Sequence, residues 1–337
     1  MPPRRTGAVA QLGERCNRTA EVRGSTPLGS TSGPQDFPMT RIRADLLLLA
    51  CAAIWGFAFL FQKSAMAHIG PLTFVAARGL LAALVLLPLA LLAQRNAKAA
   101  PGKPIVFIGI VAGMAFVVAS FLQQSGLKTA SVTNTAFLTA LYVVATPFIS
   151  FAFTRQAVSL PIWTAVGLSF AGTWLLGGGT LGGLGLGDWL VAASAFFWAL
   201  HLVIASAAAP LNRPVLFSVI QFAVVGVTAL IAALVAESIT LEGLRAAAPD
   251  ILYVGVLSTA LTFTILTMAL RATSPAEAAI LVMTETLFAA FGAWLFLNER
   301  LTPLSAAGCA AILAAAMIVQ LQQARNNKEE RGVRDGS

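Results

Sequence analysis

Apolar runs of about 19 to 23 residues, divided by short polar or Gly/Pro breaks, dominate the chain from residue 45 to residue 322. They fall near 45–63, 71–93, 104–125, 131–152, 160–178, 188–209, 214–236, 250–270, 276–297 and 303–322. At the helical rise of 1.5 Å per residue, each run matches a hydrocarbon layer of roughly 30 Å. The pattern predicts an all-α polytopic membrane protein with ten transmembrane helices. Residues 1–40 depart from it: rich in Gly, Pro, Ser, Thr and Arg and without apolar periodicity, they read as a disordered N-terminal extension. Met39, directly before the first span, is a candidate start of translation, and residues 323–337 read as a basic tail. The longest internal loop, around Glu237–Asp250, holds about a dozen residues and has no room for a soluble catalytic domain.

Composition agrees with that reading. Hydrophobic residues make up 58% of the chain and charged residues 11%, whereas soluble domains carry about 25% charge. The net charge of +8 invites a nucleic-acid reading. The positions of the charges oppose it, because basic residues gather at the termini, where they report orientation and lipid contact. With the N-terminus cytoplasmic, 17 Lys and Arg fall on that side, against Lys63, Lys128, Arg245 and Arg300 on the other, with Arg78 inside a span. Both termini are therefore expected in the cytoplasm. Cys16, Cys51 and Cys309 are too scattered for a disulfide framework or a metal cluster, and no cofactor is expected.

The chain also matches itself at one constant offset. Asp45 pairs with Asp188, Trp55 with Trp198, Pro71 with Pro214, Phe74 with Phe217, Ser131 with Ser274 and Phe148 with Phe291. A single offset shared over about 100 residues points to duplication, with a first repeat over 45–187 and a second over 188–322. Five spans per copy force the second copy into the membrane upside down. Two inverted five-helix repeats of this kind suit a carrier whose halves exchange conformations.

Polar groups within the spans mark the candidate site. Glu285 stands halfway along 276–297, where an unpaired charge costs at least a few kcal/mol. It is read as a proton carrier, with a structural hydrogen bond or a direct substrate contact as the alternatives. Arg78, in the second span, either snorkels to the interface or faces a cavity, where it draws an anionic substrate group or pairs with Glu285. Thr135, Thr139, Tyr142 and Thr146 form one stripe on the fourth span. The repeat offset sets Tyr142 opposite Glu285, so these two are the expected walls of the site. Trp55 and Trp198 lie about ten residues into their spans, deeper than an interfacial belt, as cavity walls or core packing. His201 shares a face with Trp198 and Ser194, and Glu277 stands near the cytoplasmic mouth as a gate or a hydrated side chain. Gln123, Gln124, Ser258 and Thr262 are weaker candidates, because such groups also join helices.

These residues resemble a known family. Leu127-Lys128-Thr129-Ala130-Ser131 followed by Asn134-Thr135-Ala136-Phe137-Leu138, the run Ala269–Ala279, and Glu285–Leu297 ending in Asn298-Glu299-Arg300-Leu301-Thr302 are similar to the EamA-type branch of the drug/metabolite transporter superfamily. The resemblance covers about residues 45–322. It implies a ten-helix inverted-repeat carrier of the bacterial cytoplasmic membrane, moving an amino acid or related small polar metabolite, by export, with the proton as candidate coupling ion. Arg78 matches the family's common arginine in helix two. Many relatives have Glu-Pro where this chain has Glu285-Thr286, which leaves open whether a local break in that helix is retained. Uptake and facilitated passage remain open, as does the choice between monomer and homodimer. A membrane enzyme or a passive channel is the competing class. Two histidines, His68 and His201, are too few for a histidine-rich metal site, and no Ser/His/Asp set presents itself.

Overall fold

The computed structural model describes residues 39–95, 102–155, 158–176, 184–297 and 302–335. The N-terminal extension before Met39, Lys98, most of the Gly-rich run after Leu176 and the Asn298-Glu299-Arg300-Leu301 segment lie outside the described residues.

The described chain is helical throughout. In order it forms α1 (Arg41–Ala65), α2 (Pro71–Arg95), α3 (Lys103–Leu127), α4 (Val132–Thr139), α5 (Tyr142–Thr154), α6 (Leu160–Leu176), α7 (Leu186–Ala208), α8 (Pro214–Ala236), α9 (Leu241–Ala246) and α10 (Ala248–Leu252). A π-helix (Tyr253–Leu261) runs into α11 (Thr262–Ala269), followed by α12 (Pro275–Val282), α13 (Glu285–Leu297) and α14 (Pro303–Asp335). The helix starts are written locally. Ser131 Oγ accepts from Asn134 N at 3.0 Å to cap α4. Ser274 and Glu277 cap α12 reciprocally, Glu277 N donating to Ser274 Oγ at 3.3 Å and Ser274 N to Glu277 Oε2 at 3.0 Å. Prolines open α2, α8 and α12, where a missing N–H does no harm.

Eight helical stretches among the described residues are long and apolar enough to cross a membrane, and two shorter apolar helices occupy 160–175 and 306–319. Their outward faces expose Leu84, Leu89, Phe107, Phe153 and Leu234, an apolar coat of the kind that faces lipid. The protein is an all-α, multi-pass membrane protein. The segment expected as the longest loop holds α9 and the start of α10 instead.

Three stretches predicted as continuous helices are interrupted. Between α12 and α13 the backbone tightens to i→i−3 bonds: Thr284 N to Leu281 O at 3.2 Å, Thr286 N to Met283 O at 3.0 Å and Leu287 N to Thr284 O at 3.0 Å. Two threonines add side-chain bonds to this break. Thr284 Oγ1 donates to Leu281 O at 2.7 Å and Thr286 Oγ1 to Met283 O at 2.9 Å, in competition with the regular ladder. Between α4 and α5 the corresponding bonds recur at the equivalent positions of the first repeat, from Leu141 N to Leu138 O, Val143 N to Ala140 O and Val144 N to Leu141 O. Pro147 lies inside α5, and the interruption precedes it. The third irregular stretch is the π-helix after α10.

Packing joins distant parts of the sequence. α2 lies on α8, α3 on α7, α6 on α14, and α1 on α13. At the α2–α8 crossing a Cβ on Gly79 would stand 2.9 Å from Gly226 N, so these two backbones touch. Beyond the end of α8, Glu237 reaches the start of α2, where its carboxylate accepts from Leu72 N and Thr73 N at 2.9 Å each and from Thr73 Oγ1 at 2.7 Å. Glu237→Ala is expected to cost about 1–2 kcal/mol, the value of a lost N-terminal cap at a helix start. Thermal unfolding in detergent measures it, and an unchanged midpoint would show that the cap is not needed.

Candidate functional site

One cavity brings together side chains from both parts of the chain. Together with the solvent at its mouth it encloses about 630 Å³ of atom-free space. Its walls include Trp55, Gln62, Arg78, Thr139, Tyr142, Trp198, His201 and Glu285.

The two helix breaks build its polar wall. Each places its first helical residue at mid-span: Tyr142 opens α5 and Glu285 opens α13. A half-helix N-terminus carries a partial positive charge, which favours a carboxylate there. Glu285 is 5% exposed. The Tyr142 hydroxyl lies beside its carboxyl and donates to Ala279 O at 3.4 Å. Thr139, across the first break, accepts from Gln123 Nε2 at 2.8 Å.

Arg78 is not drawn to an interface. It is 3% exposed, its Nη2 donates to Ser120 Oγ, and its guanidinium lies 5.2 Å from the Phe116 ring centre and 5.8 Å from that of Phe74. Among the described residues the ion pairs are Arg41–Asp45 and Arg41–Glu277, so Arg78 and Glu285 share a cavity without pairing. Arg78 Nε is buried without an acceptor.

The aromatic wall is a connected cluster. Trp55 and Phe263 meet at 4.7 Å between ring centres, Phe116 and Phe263 at 4.9 Å, and Phe116 and Trp198 at 4.9 Å. His201 lies edge-on to Phe116 and joins its Nε2 to Gln221 Oε1 at 2.9 Å. The two tryptophans differ in one respect. Trp55 Nε1 donates to Ser258 O at 2.7 Å, whereas Trp198 Nε1 is buried without an acceptor.

Seven of the nine residues picked from the sequence line this cavity, and two stand elsewhere. Thr135 returns its hydroxyl to Ser131 O at 2.8 Å in the first turn of α4, one turn nearer the helix start than Thr139 and outside the cavity lining. Glu277 belongs to the α12 cap and pairs with Arg41 Nη2 at 2.8 Å, which ties α12 to the start of α1. The sequence reading overlooked Gln62, Phe59, Phe263 and Gln221. Gln62 stands beside Lys63 and reads as the end of a span, yet it accepts from Gln124 Nε2 in the interior. Gln221 occupies the position in the second repeat that Arg78 holds in the first, so the repeat itself could have marked it. The described residues include no group of three or more His, Cys, Asp or Glu able to hold a metal ion.

The sequence pattern of the EamA-like transporter family matches residues 42–178 and again 185–321. An uncharacterized transporter of Archaeoglobus fulgidus is 28% identical over 288 residues, covering 84% of this chain and 87% of the archaeal protein. A protein of known crystal structure shares the fold, with a TM-score of 0.69 at 16% identity over 83% of this chain and 96% of its own.

Proposed function

Because this chain belongs to the EamA-like transporter family, a membrane transport protein by that membership, we propose that it is a secondary carrier exporting a small polar metabolite. The cargo is an amino acid or a related compound, moved across the cytoplasmic membrane by alternating access. Counting the two shorter apolar helices as spans gives ten, with both termini cytoplasmic on the Lys/Arg distribution. The observation that carries the proposal is the pair of broken helices that open on Tyr142 and Glu285 in one buried cavity, with matching backbone bonds at equivalent positions of the two repeats.

Helix pairing supports a two-fold relation between the halves, which five spans per half would make inverted. The second span packs on the seventh and the fifth on the tenth, pairs that map onto themselves under a shift of five spans. The third on the sixth corresponds to the eighth on the first, and the fourth on the sixth to the ninth on the first. Two such halves exchange conformations as the carrier turns, and the present state is unequal in a way that suits this exchange. The eighth span holds the π-helix whose Ser258 carbonyl serves Trp55. The third span is regular α3, and Trp198 has no acceptor. In the opposite state, Trp198 takes the carbonyl of Ala115, the counterpart of Ser258 in the first repeat, and Trp55 releases its own.

Trp55→Phe is accordingly expected to shift the population toward the opposite state, and Trp198→Phe toward the present one. Backbone hydrogen exchange over 253–261 and 110–118 reads the shift, and changes in the same direction in both variants would remove the exchange. Transport itself is tested in proteoliposomes loaded with amino acids under an imposed proton gradient. Saturable, gradient-dependent release fits the carrier, unsaturable flux indicates a channel, and chemical conversion of cargo indicates an enzyme.

A further inference from the structure

Arg78 is a buried cation with no anion beside it. Taking a guanidinium out of water is costly unless a negative group answers it, and the described residues provide no carboxylate within ion-pair range of Arg78. What stands beside it is the cavity. Its counterpart one repeat later, Gln221, is neutral and engaged with His201. The cavity wall therefore carries one fixed cation, placed on one side of an otherwise neutral pair of positions.

Resting on the carrier reading above, we infer that Arg78 is the docking point for a single carboxylate group on the cargo. One edge of the guanidinium is fixed by the hydrogen bond to Ser120 and by the faces of Phe116 and Phe74. Its Nε–H is left without an acceptor, and the guanidinium donors not held by Ser120 can give a carboxylate charge-assisted hydrogen bonds. A phosphate dianion or a dicarboxylate fits worse. Either brings two negative charges to one cation, in a cavity lined by Glu285 and by no lysine or second arginine. The cargo selected is one that presents one carboxylate, with its remaining body against the aromatic wall.

The inference is tested with proteoliposomes loaded with a defined mixture of L-amino acids, the matching L-amino acid amides and hexose phosphates, with release followed by mass spectrometry. Wild-type protein is expected to release acids at least about tenfold faster than their amides and to retain the phosphates. Arg78→Gln is expected to lose most acid release, and Arg78→Lys, which keeps the charge without the guanidinium, to retain part. Amide release as fast as acid release by the wild type overturns the assignment. Wild-type rates of acid release in Arg78→Gln also overturn it. If Arg78→Gln does not fold, as judged by its elution profile and thermal unfolding, the acid-to-amide preference of the wild type and its reduction in Arg78→Lys decide. Release of amides or phosphates alone leaves the carrier standing and removes this role for Arg78. Release of no probe removes both.

Discussion

Glu285→Gln is expected to fold and to bind cargo, yet to lose all response of transport to an imposed pH gradient. The amide keeps the size of the side chain, its place at the start of α13 and its capacity to accept from Tyr142, so packing changes little. What disappears is the ability to take a proton from one side and release it to the other. A carboxyl at mid-span is suited to that work because it can take up and release a proton as the cavity opens to one side and then the other, and the positive end of the half-helix favours the ion when water enters. Transport rates measured across a series of gradients give the test. A gradient-stimulated rate in the wild type should fall to the ungraded rate in Glu285→Gln. Wild-type gradient dependence in the variant would end the proton-carrier role, leaving Glu285 as a cargo contact or a structural acceptor. Tyr142→Phe, which removes the phenol but not the acid, should weaken the response without abolishing it.

Much of this architecture is legible in the sequence because a bilayer imposes a simple length rule on apolar runs, and because duplication leaves markers at one offset. Trp55 and Trp198, or Ser131 and Ser274, are visible as pairs without any structure. The site is legible in part for the same reason. Ionisable residues at mid-span are few, and Arg78, Tyr142, His201 and Glu285 among them line the cavity.

What escaped depends on backbone irregularity, which composition does not announce. Thr284 and Thr286 interrupt a helix with hydroxyl-to-carbonyl bonds that threonines elsewhere in this fold make without interrupting anything, as Thr267 does in α11. A stripe drawn along the whole span carried Thr135 into the site, although it lies one turn short of the cavity at the start of α4. Glu277 was readable from its own neighbourhood. Ser274-Pro275-Ala276-Glu277 has the spacing of a reciprocal cap at a helix start, a local role that leaves the carboxylate little freedom. Phe263 is a different case: an apolar residue at a cavity wall carries no signal that separates it from ordinary core.

The same irregular backbone sets up a large structural effect of a single substitution, at Gly56 in α1. A Cβ added there would stand 2.5 Å from Glu285 O and from Phe288 Cβ, and 2.9 Å from Ala289 N. Two of the three atoms are backbone, so no rotamer change relieves the overlap, and α1 and α13 must separate. Overpacking of this kind costs about 1–3 kcal/mol. Gly56→Val is expected to lower the thermal unfolding midpoint by several degrees and to reduce transport at least about tenfold, because the separation moves the first turn of α13 and the Glu285 carboxyl with it. Gly167 supplies the matched control. It also lies in an apolar helix, but an added Cβ there meets nothing within 4 Å, so Gly167→Val should leave both readings close to wild type. Equal losses in the two variants would mean that the damage comes from the β-branched residue in a membrane helix, and the close seat of α13 on α1 would then have no part in holding Glu285 in place.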